Sequence, residues 1–470
     1  MMYHTIIENA YVPSGDDMVK TCILIKDGLI CGFVQSSEDI VAERTIDAGG
    51  NLVLPGCIDS HVHFMDPGFT HRETFATGTR SAAAGGVTTV IDMPCCSIPS
   101  VRDLPSMQNK LKAISPQGYV DFGLWGGVTG EDVRESNLDN VQKQADEGVI
   151  GFKVYMTPSV PTYPLANDAE LFEIFKTVAK TKLPLGIHAE NFTLCEYNVR
   201  KSKESGTLQG NAWEKARNVM AEKVAIQMCC TFAEYTGARM HIVHLSSGTG
   251  ASVIEEAKRR GLQVTAETCP HYLLLDGREM LDKLGPLAKI APPMRIQAEA
   301  DLLWEKVQSR AIDFIATDHA PYELATEKEA TGMNIWTSFP GIPGVETMVP
   351  LIVSEGYNKG RITLSRLVEL LSRNAAIHYG LYPRKGSLEL GADADFTFID
   401  LKKKWIIDHN TMQSMGKYTP FDGWEVTGKV MKTMVRGHLV YDDGEFPEGP
   451  GYGEFVRRQT ISALPTTIEF

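Results

Sequence analysis

The sequence predicts an α/β chain in which a TIM-like (β/α)8 barrel carries a small β-sandwich formed by the N- and C-terminal segments. Three observations predict it. Eight apolar, strand-like runs alternate with longer helical stretches through the middle of the chain, the pattern of repeated β/α units around a parallel sheet. Both ends show short alternating runs broken by Gly, Asp and Ser, without a helical period. Histidines, a lysine and an aspartate stand toward the C-terminal ends of the central runs, the face on which barrel enzymes build their sites.

Taken in order, residues 5–7, 21–25 and 29–34 read as short strands of the N-terminal part, which spans residues 1–51. The barrel spans 52–384, with strands expected at 52–64, 87–94, 119–127, 149–156, 183–190, 239–246, 262–272 and 313–321. Helical stretches fill the gaps, for example 73–84, 169–180 and 212–235. Strand-like patterning returns at 393–401 and 430–446, so residues 385–454 are expected to complete the sandwich begun at the N-terminus. Residues 455–470 read as a tail or an arm onto a neighbouring subunit.

A chain of 470 residues exceeds one compact domain, consistent with a large unit and a smaller companion. Its 46 basic and 59 acidic residues leave a formal charge of −13, which argues against a nucleic-acid partner and favours solubility. The nine cysteines are scattered, odd in number and without CxxC spacing, as expected in a reducing compartment. No basic segment followed by an apolar stretch opens the chain, and no apolar run reaches the roughly 18 residues that span a membrane. The expected location is cytoplasmic, with no membrane partner.

The chemistry concentrates in six residues. His61 and His63 stand two apart in a strand, so their rings project to one side and can share a metal ion; the alternative is a hydrogen-bonded pair. His188 and His244 each follow an apolar run and arrive at a barrel mouth with a polar head, although each alone also reads as a satisfied core histidine. Lys153 in VIGFKVYM is either a snorkelling side chain or a desolvated, neutral amine able to take up carbon dioxide as a carbamate that bridges two divalent ions. Asp318 in IATDHAP either caps the next helix or ligates a metal and takes a proton from a metal-activated water.

These residues and several longer motifs resemble the cyclic amidohydrolases, the group of allantoinase, hydantoinase or dihydropyrimidinase, and dihydroorotase. The motifs are LVLPGCIDSHVHF, ETFATGTRSAAAGGVTTVIDMP, AETCPHYLLL, APPMR, GIPGVET, GADADFTFID and KYTPFDGWEVTGKVMKTMVRG. The resemblance implies two divalent metal ions per chain, zinc-like, with carbamylated Lys153 as the bridging ligand. His61, His63, Lys153 and Asp318 would hold the first ion, and Lys153, His188 and His244 the second. It also implies attack of a metal-bridging hydroxide on a ring carbonyl, with Asp318 as catalytic proton shuttle, a cyclic ureide as small-molecule substrate, and a homo-oligomer, tetramer or dimer.

Within that group the closest resemblance is to allantoinase, which opens allantoin to allantoate. DPGFTHRETFATGT followed by MPCCSIP matches the allantoinase pattern, and Met65 and Cys95 stand where dihydroorotases read a carboxylate. Pro158 occupies the place of a D-hydantoinase tyrosine, with Tyr155 two residues after the lysine. A hydantoinase-type cyclic amidase is the second reading, dihydroorotase a third, and a metal-free scaffold homologue the non-enzymatic one. Tyr155, Ser159, His271, Pro292, Gly341 and Gly344 are expected to contact substrate, the two glycines through backbone groups of the GIPG turn.

Overall fold

The computed structural model describes residues 2–207, 210–332 and 334–458. The N-terminal segment contributes β1 (Tyr3–Ser14), β2 (Asp17–Lys26), β3 (Leu29–Val34), β4 (Ala42–Asp47) and β5 (Leu52–Pro55). The barrel follows as β6 (Cys57–Val62), β7 (Val87–Asp92), β8 (Asp121–Leu124), β9 (Gly126–Gly127), β10 (Phe152–Tyr155), β11 (Leu185–His188), β12 (Met240–Ile242), β13 (Val264–Thr268) and β14 (Phe314–Ile315). The chain ends its regular structure with β15 (Phe396–Ile406), β16 (Glu425–Val435) and β17 (His438–Asp442).

β8 and β9 occupy a single position in the barrel, interrupted at Trp125. The Trp125 amide reaches Asp92 O at 3.0 Å and its indole donates to Ser60 O at 2.9 Å, so the interruption is filled rather than frayed. Every ladder from β6 through β14 is parallel. The ring closes where His319 bridges Val62 and the His63 amide donates to His319 O at 2.8 Å. Each of the eight expected runs overlaps one of these positions. Ile58, Ile91, Trp125, Ile150, Val243 and Phe314 fill the interior as packed apolar side chains, not as a pore.

Both ends of the chain meet in one eight-stranded mixed sheet, ordered β17-β16-β15-β5-β1-β2-β3 with β4 against β1. It folds over its own core, which includes Ile7, Ile23, Ile25, Val53, Phe396, Phe398 and Met434. Residues 52–64, read from the sequence as one barrel strand, are divided at Gly56: β5 lies between β15 and β1, while β6 pairs with β7 in the barrel. A Cβ at Gly56 would meet Thr88 Oγ1 at 2.2 Å and Asp395 Cβ at 2.7 Å, so only glycine passes between the two layers.

A second departure is the expected helix 212–235, which is two helices, Ala212–Ala216 and Val219–Thr236. Asn218 caps the second, its side chain accepting from the Ala221 amide, and an N-cap residue cannot continue a preceding helix. Before it lies a helix with no counterpart in the sequence reading, Phe192–Glu204. The first part of the expected tail packs on its own barrel, where Phe455 bridges Phe122. Residues 459–470 lie outside the described ones.

Where the outer sheet meets the start of β8, a charged cluster is buried. Lys385 Nζ lies 2.5 Å from Asp121, 2.9 Å from Asp393 and 2.7 Å from Asp395, and the Arg436 guanidinium completes the set against Asp121. Among the described residues no helix is long and apolar enough to cross a membrane.

Candidate metal centre

In a parallel barrel all strands deliver their last residues to one mouth, and that geometry gathers the six residues singled out above. His61 lies in β6 and His63 just beyond it, Lys153 in β10 and His188 at the end of β11. His244 and Asp318 follow β12 and β14, and both adopt left-handed backbone, with φ of 40° and 51°. Such conformations in non-glycine residues persist only where the surroundings enforce them, and here they turn the chain out of its strand direction at the mouth.

Ring centroids are 5.3 Å apart for His61 and His63, 5.2 Å for His61 and His244, and 4.7 Å for His188 and His244. Asp318 Oδ1 lies 3.2 Å from His61 Nε2 and 3.1 Å from His63 Nε2. His188 Nδ1 and His244 Nε2 face one another at 3.0 Å. Lys153 Nζ is fully buried without a hydrogen-bond partner, 4.8 Å from the centre of the Tyr155 ring.

Two of the histidines are oriented from behind by carboxylates. Glu267 Oε1 lies 2.5 Å from His61 Nδ1, and Glu190 Oε2 lies 2.7 Å from His188 Nε2. A carboxylate accepting one ring N–H fixes the tautomer and leaves the opposite nitrogen with its lone pair. His63 differs, because its Nδ1 faces the Cys95 sulfur at 3.5 Å. Of the remaining polar atoms, His244 Nδ1 and Lys153 Nζ are buried and unpartnered, and His61 Nε2 is buried with the Asp318 carboxylate 3.2 Å away but outside hydrogen-bond geometry. Buried polar groups are almost always satisfied. The ligand atoms of His61, His63 and Asp318 lie within 4.8 Å of one another, a donor set that divalent cations satisfy.

The electrostatics agree with that reading. Burial pushes the Lys153 ammonium down to about 8, so a substantial neutral fraction exists near physiological pH. Burial would raise the Asp318 carboxyl, but the imidazoles of His61 and His63 outweigh it and hold the group well below the carboxylate range. His244 is held neutral by burial and by Lys153. Behind the centre, burial raises Asp59 to about 7 although it accepts from Thr317 Oγ1 at 2.5 Å.

The expected substrate contacts divide. Tyr155 is buried at the mouth, stacked 5.2 Å from His188, with its hydroxyl 3.2 Å from Cys95 Sγ. His271 is buried with Nε2 unpartnered, and burial lowers its ring to about 4, so it is neutral. Pro292 is buried, and its carbonyl accepts from Tyr272 at 2.8 Å. Ser159 is exposed and lines a separate cavity of about 440 Å³ with Arg134, Val160, Tyr163 and Glu170. The backbone groups of the two glycines are engaged by their own chain. Gly341 N donates to Lys289 O and its carbonyl accepts from Tyr418, while Gly344 N donates to His319 Nδ1 and its carbonyl accepts from Thr347.

Four functional positions escaped the sequence reading. Glu190 and Glu267 carried a usable signal, a carboxylate inside or closing an otherwise apolar strand, with Glu190 two residues after His188 and so on its face. Cys95 reads from the sequence only as a missing carboxylate contact, not as the neighbour of His63. Arg217 carried none. It bonds both oxygens of Glu190 and reaches Thr157 Oγ1 at 3.2 Å, across a sequence gap that no local pattern encodes.

Against known proteins, residues 52–440 match the model of the amidohydrolase family. The chain is 36% identical to an L-hydantoinase of Paenarthrobacter aurescens, over 98% of this chain and all of the relative. It is 35% identical to an allantoinase of Rubrobacter xylanophilus, over 93% of each. Among solved structures it is similar to the L-hydantoinase (dihydropyrimidinase) from Arthrobacter aurescens, with a TM-score of 0.93, 36% identity and coverage of 97% and 100%. A dihydropyrimidinase from Brevibacillus agri superimposes with a TM-score of 0.90 at 27% identity, covering 97% and 99%.

Proposed function

Because this chain belongs to the amidohydrolase family and is a hydrolase of cyclic amides, we propose that it opens the five-membered ring of allantoin with two divalent cations, zinc by donor type, at the barrel mouth. The observation that carries this is Lys153 Nζ, buried and unpartnered among four histidines and Asp318. A neutral amine adds carbon dioxide and releases one proton, giving a carbamate whose two oxygens suit two cations. His61, His63, Lys153 and Asp318 would hold one, and Lys153, His188 and His244 the other. When bound, such ions polarise a ring carbonyl and bring the pKa of water to roughly 7.

The protein's own groups do the rest. Asp318 accepts the proton of the attacking water and returns it to the leaving ring nitrogen. Glu267 and Glu190 hold His61 and His188 in the tautomers the centre needs. Tyr155, stacked on His188, presents its phenol beside the ring, and His271 offers a neutral imidazole. The six expected ligands and Asp318 as shuttle are part of this proposal, as are the barrel and sandwich boundaries given above, a dimeric or tetrameric assembly and a cytoplasmic location. All nine cysteines are free, which supports the last of these.

A second reading has its own support. Met65, Cys95 and Cys96 belong to one apolar cluster at the mouth, with Phe69 and Val160 packed against it, a lining that suits a hydantoin bearing an apolar substituent. The cations beside that lining, Arg72 over Phe69 and Lys110 near Cys96, are already paired with Glu327 and Asp92, which disfavours a carboxylate-bearing ring. The test is turnover of the metal-loaded protein on allantoin, hydantoin, 5-substituted hydantoins, dihydrouracil and dihydroorotate. Allantoin is expected to lead and dihydroorotate to trail. Faster turnover of an apolar 5-substituted hydantoin moves the assignment to the second reading. Lys153→Ala is expected to lose most activity and at least one bound ion, and an intact ion count in an inactive variant would overturn the bridging role.

A further inference from the structure

Cys95 and Cys96 are adjacent, buried thiols beside the metal centre but outside the ligand set proposed for it. Their sulfurs are 3.7 Å apart, and Cys95 Sγ lies 3.5 Å from His63 Nδ1. Both sulfurs and a ring nitrogen of His63 lie within 4.8 Å of one another. A tetrahedral zinc ion, with metal–sulfur bonds of about 2.3 Å and a metal–nitrogen bond of about 2.05 Å, sets sulfur–sulfur and sulfur–nitrogen separations of about 3.8 and 3.6 Å. Both observed separations match within about 0.1 Å.

From this match we propose that Cys95, Cys96 and His63 Nδ1 form a separate, inhibitory site for a thiophilic d10 cation such as cadmium or excess zinc. Soft thiolate ligands select such ions over the hard cations that carboxylates and water prefer. Binding releases the two thiol protons, so the ion's two positive charges are balanced by two thiolates. Lys110, a cation that acts on Cys96, is already paired with Asp92 at 2.6 Å.

The inhibition follows from the geometry of a single ring. His63 presents Nε2 to Asp318 and Nδ1 to Cys95. A neutral imidazole has one lone pair in the ring plane, so ligation through Nδ1 shifts the ring proton to Nε2 and withdraws that nitrogen from the centre. The two sites therefore compete for His63. The alternative fate of adjacent thiols, a disulfide between them, is disfavoured because consecutive Cα atoms are about 3.8 Å apart, shorter than the usual disulfide span.

The site is independent of which ring the enzyme opens, and cadmium alone is the probe. Titration of the metal-loaded protein with cadmium is expected to produce a thiolate-to-cadmium charge-transfer absorption together with loss of turnover. Cys96→Ser, with Cys96→Ala as a second variant, lacks the absorption and, measured against its own cadmium-free turnover, needs at least tenfold more cadmium for half-inhibition. Cys229→Ser, in the other adjacent cysteine pair, leaves both responses unchanged. The proposal is overturned if the parent shows no absorption, if the absorption survives in both Cys96 variants, or if it is lost in Cys229→Ser instead.

Discussion

Two clusters of buried charge stand at opposite ends of the same barrel, and they are built on opposite principles. At the base, three aspartates converge closely enough to hold a cation, yet Lys385 already contacts all three and Arg436 covers Asp121. At the mouth, His61 Nε2, His244 Nδ1 and Lys153 Nζ converge without hydrogen-bond partners. The base cluster is satisfied by the chain itself, so its role is to fix the outer sheet to the barrel. The mouth is satisfied only by something the chain does not contain. Proximity of ligand-type residues does not separate the two clusters, but pairing does.

The sharpest test of this contrast is at the mouth. Asp318→Asn should retain the fold and most of the metal, because an amide oxygen still ligates, while losing turnover by about 10⁴-fold, the upper end of acid–base assistance, since one residue serves both proton steps. Retention of a tenth of the parent's turnover would make Asp318 a ligand only. At the base the expectation is reversed. Lys385→Met leaves three buried carboxylates facing one another and should cost about 3–5 kcal/mol, read as a melting temperature several degrees lower. Metal content should be unchanged, and loss of metal without loss of stability would break the contrast.

A smaller effect probes the groups behind the ligands. Glu267→Gln removes the charge that orients His61 and should weaken metal binding by about 10–100-fold, measured by chelator competition. Unaltered affinity would mean that Glu267 serves His241 alone, whose Nε2 it also meets at 3.3 Å. The smallest effect is in pH dependence. Lys289 is buried against Trp213, its ammonium donates to Ser338 O, and burial lowers it to about 7. Its folded value lies below the roughly 10.4 of an unfolded chain. The unfolded state thus holds the extra proton between those values, and stability rises with pH across that window. Lys289→Met removes this slope, so relative to the variant the parent should gain a few degrees in melting temperature from pH 7 to pH 9. Parallel profiles would show that the lysine is not desolvated.

Much of this was legible in the sequence, for identifiable reasons. A strand that ends at a barrel mouth shows an apolar run closed by a polar head, and that signal marked His188, His244 and Asp318 at once. Side-chain alternation paired His61 with His63. What local patterns could not show was contact between distant segments. Gly56 looks like any residue in an apolar run until Thr88 and Asp395 are seen pressing on it from both sides. The GIPG turn looked open to substrate because backbone groups in turns commonly are, whereas His319, Lys289, Tyr418 and Thr347 occupy its amides and carbonyls. The break at Arg217 and Asn218 was hidden because the pattern on either side is helical; Asn218 caps the second helix, and Arg217 turns its side chain to the distant carboxylate of Glu190.

That break has a consequence for redesign. The segment from Phe192 to Ala216 leaves the barrel after β11 and packs its Trp213 onto Ile290 O and Lys289. Arg217, at its far end, is tied through Glu190 to His188. The segment therefore ends on a fixed latch: exchanging it for the equivalent stretch of a relative, up to Ala216, leaves Arg217 to keep the histidine in place. A graft that carries its boundary one residue further, replacing Arg217 as well, would strip Glu190 of its cation and loosen His188 with it.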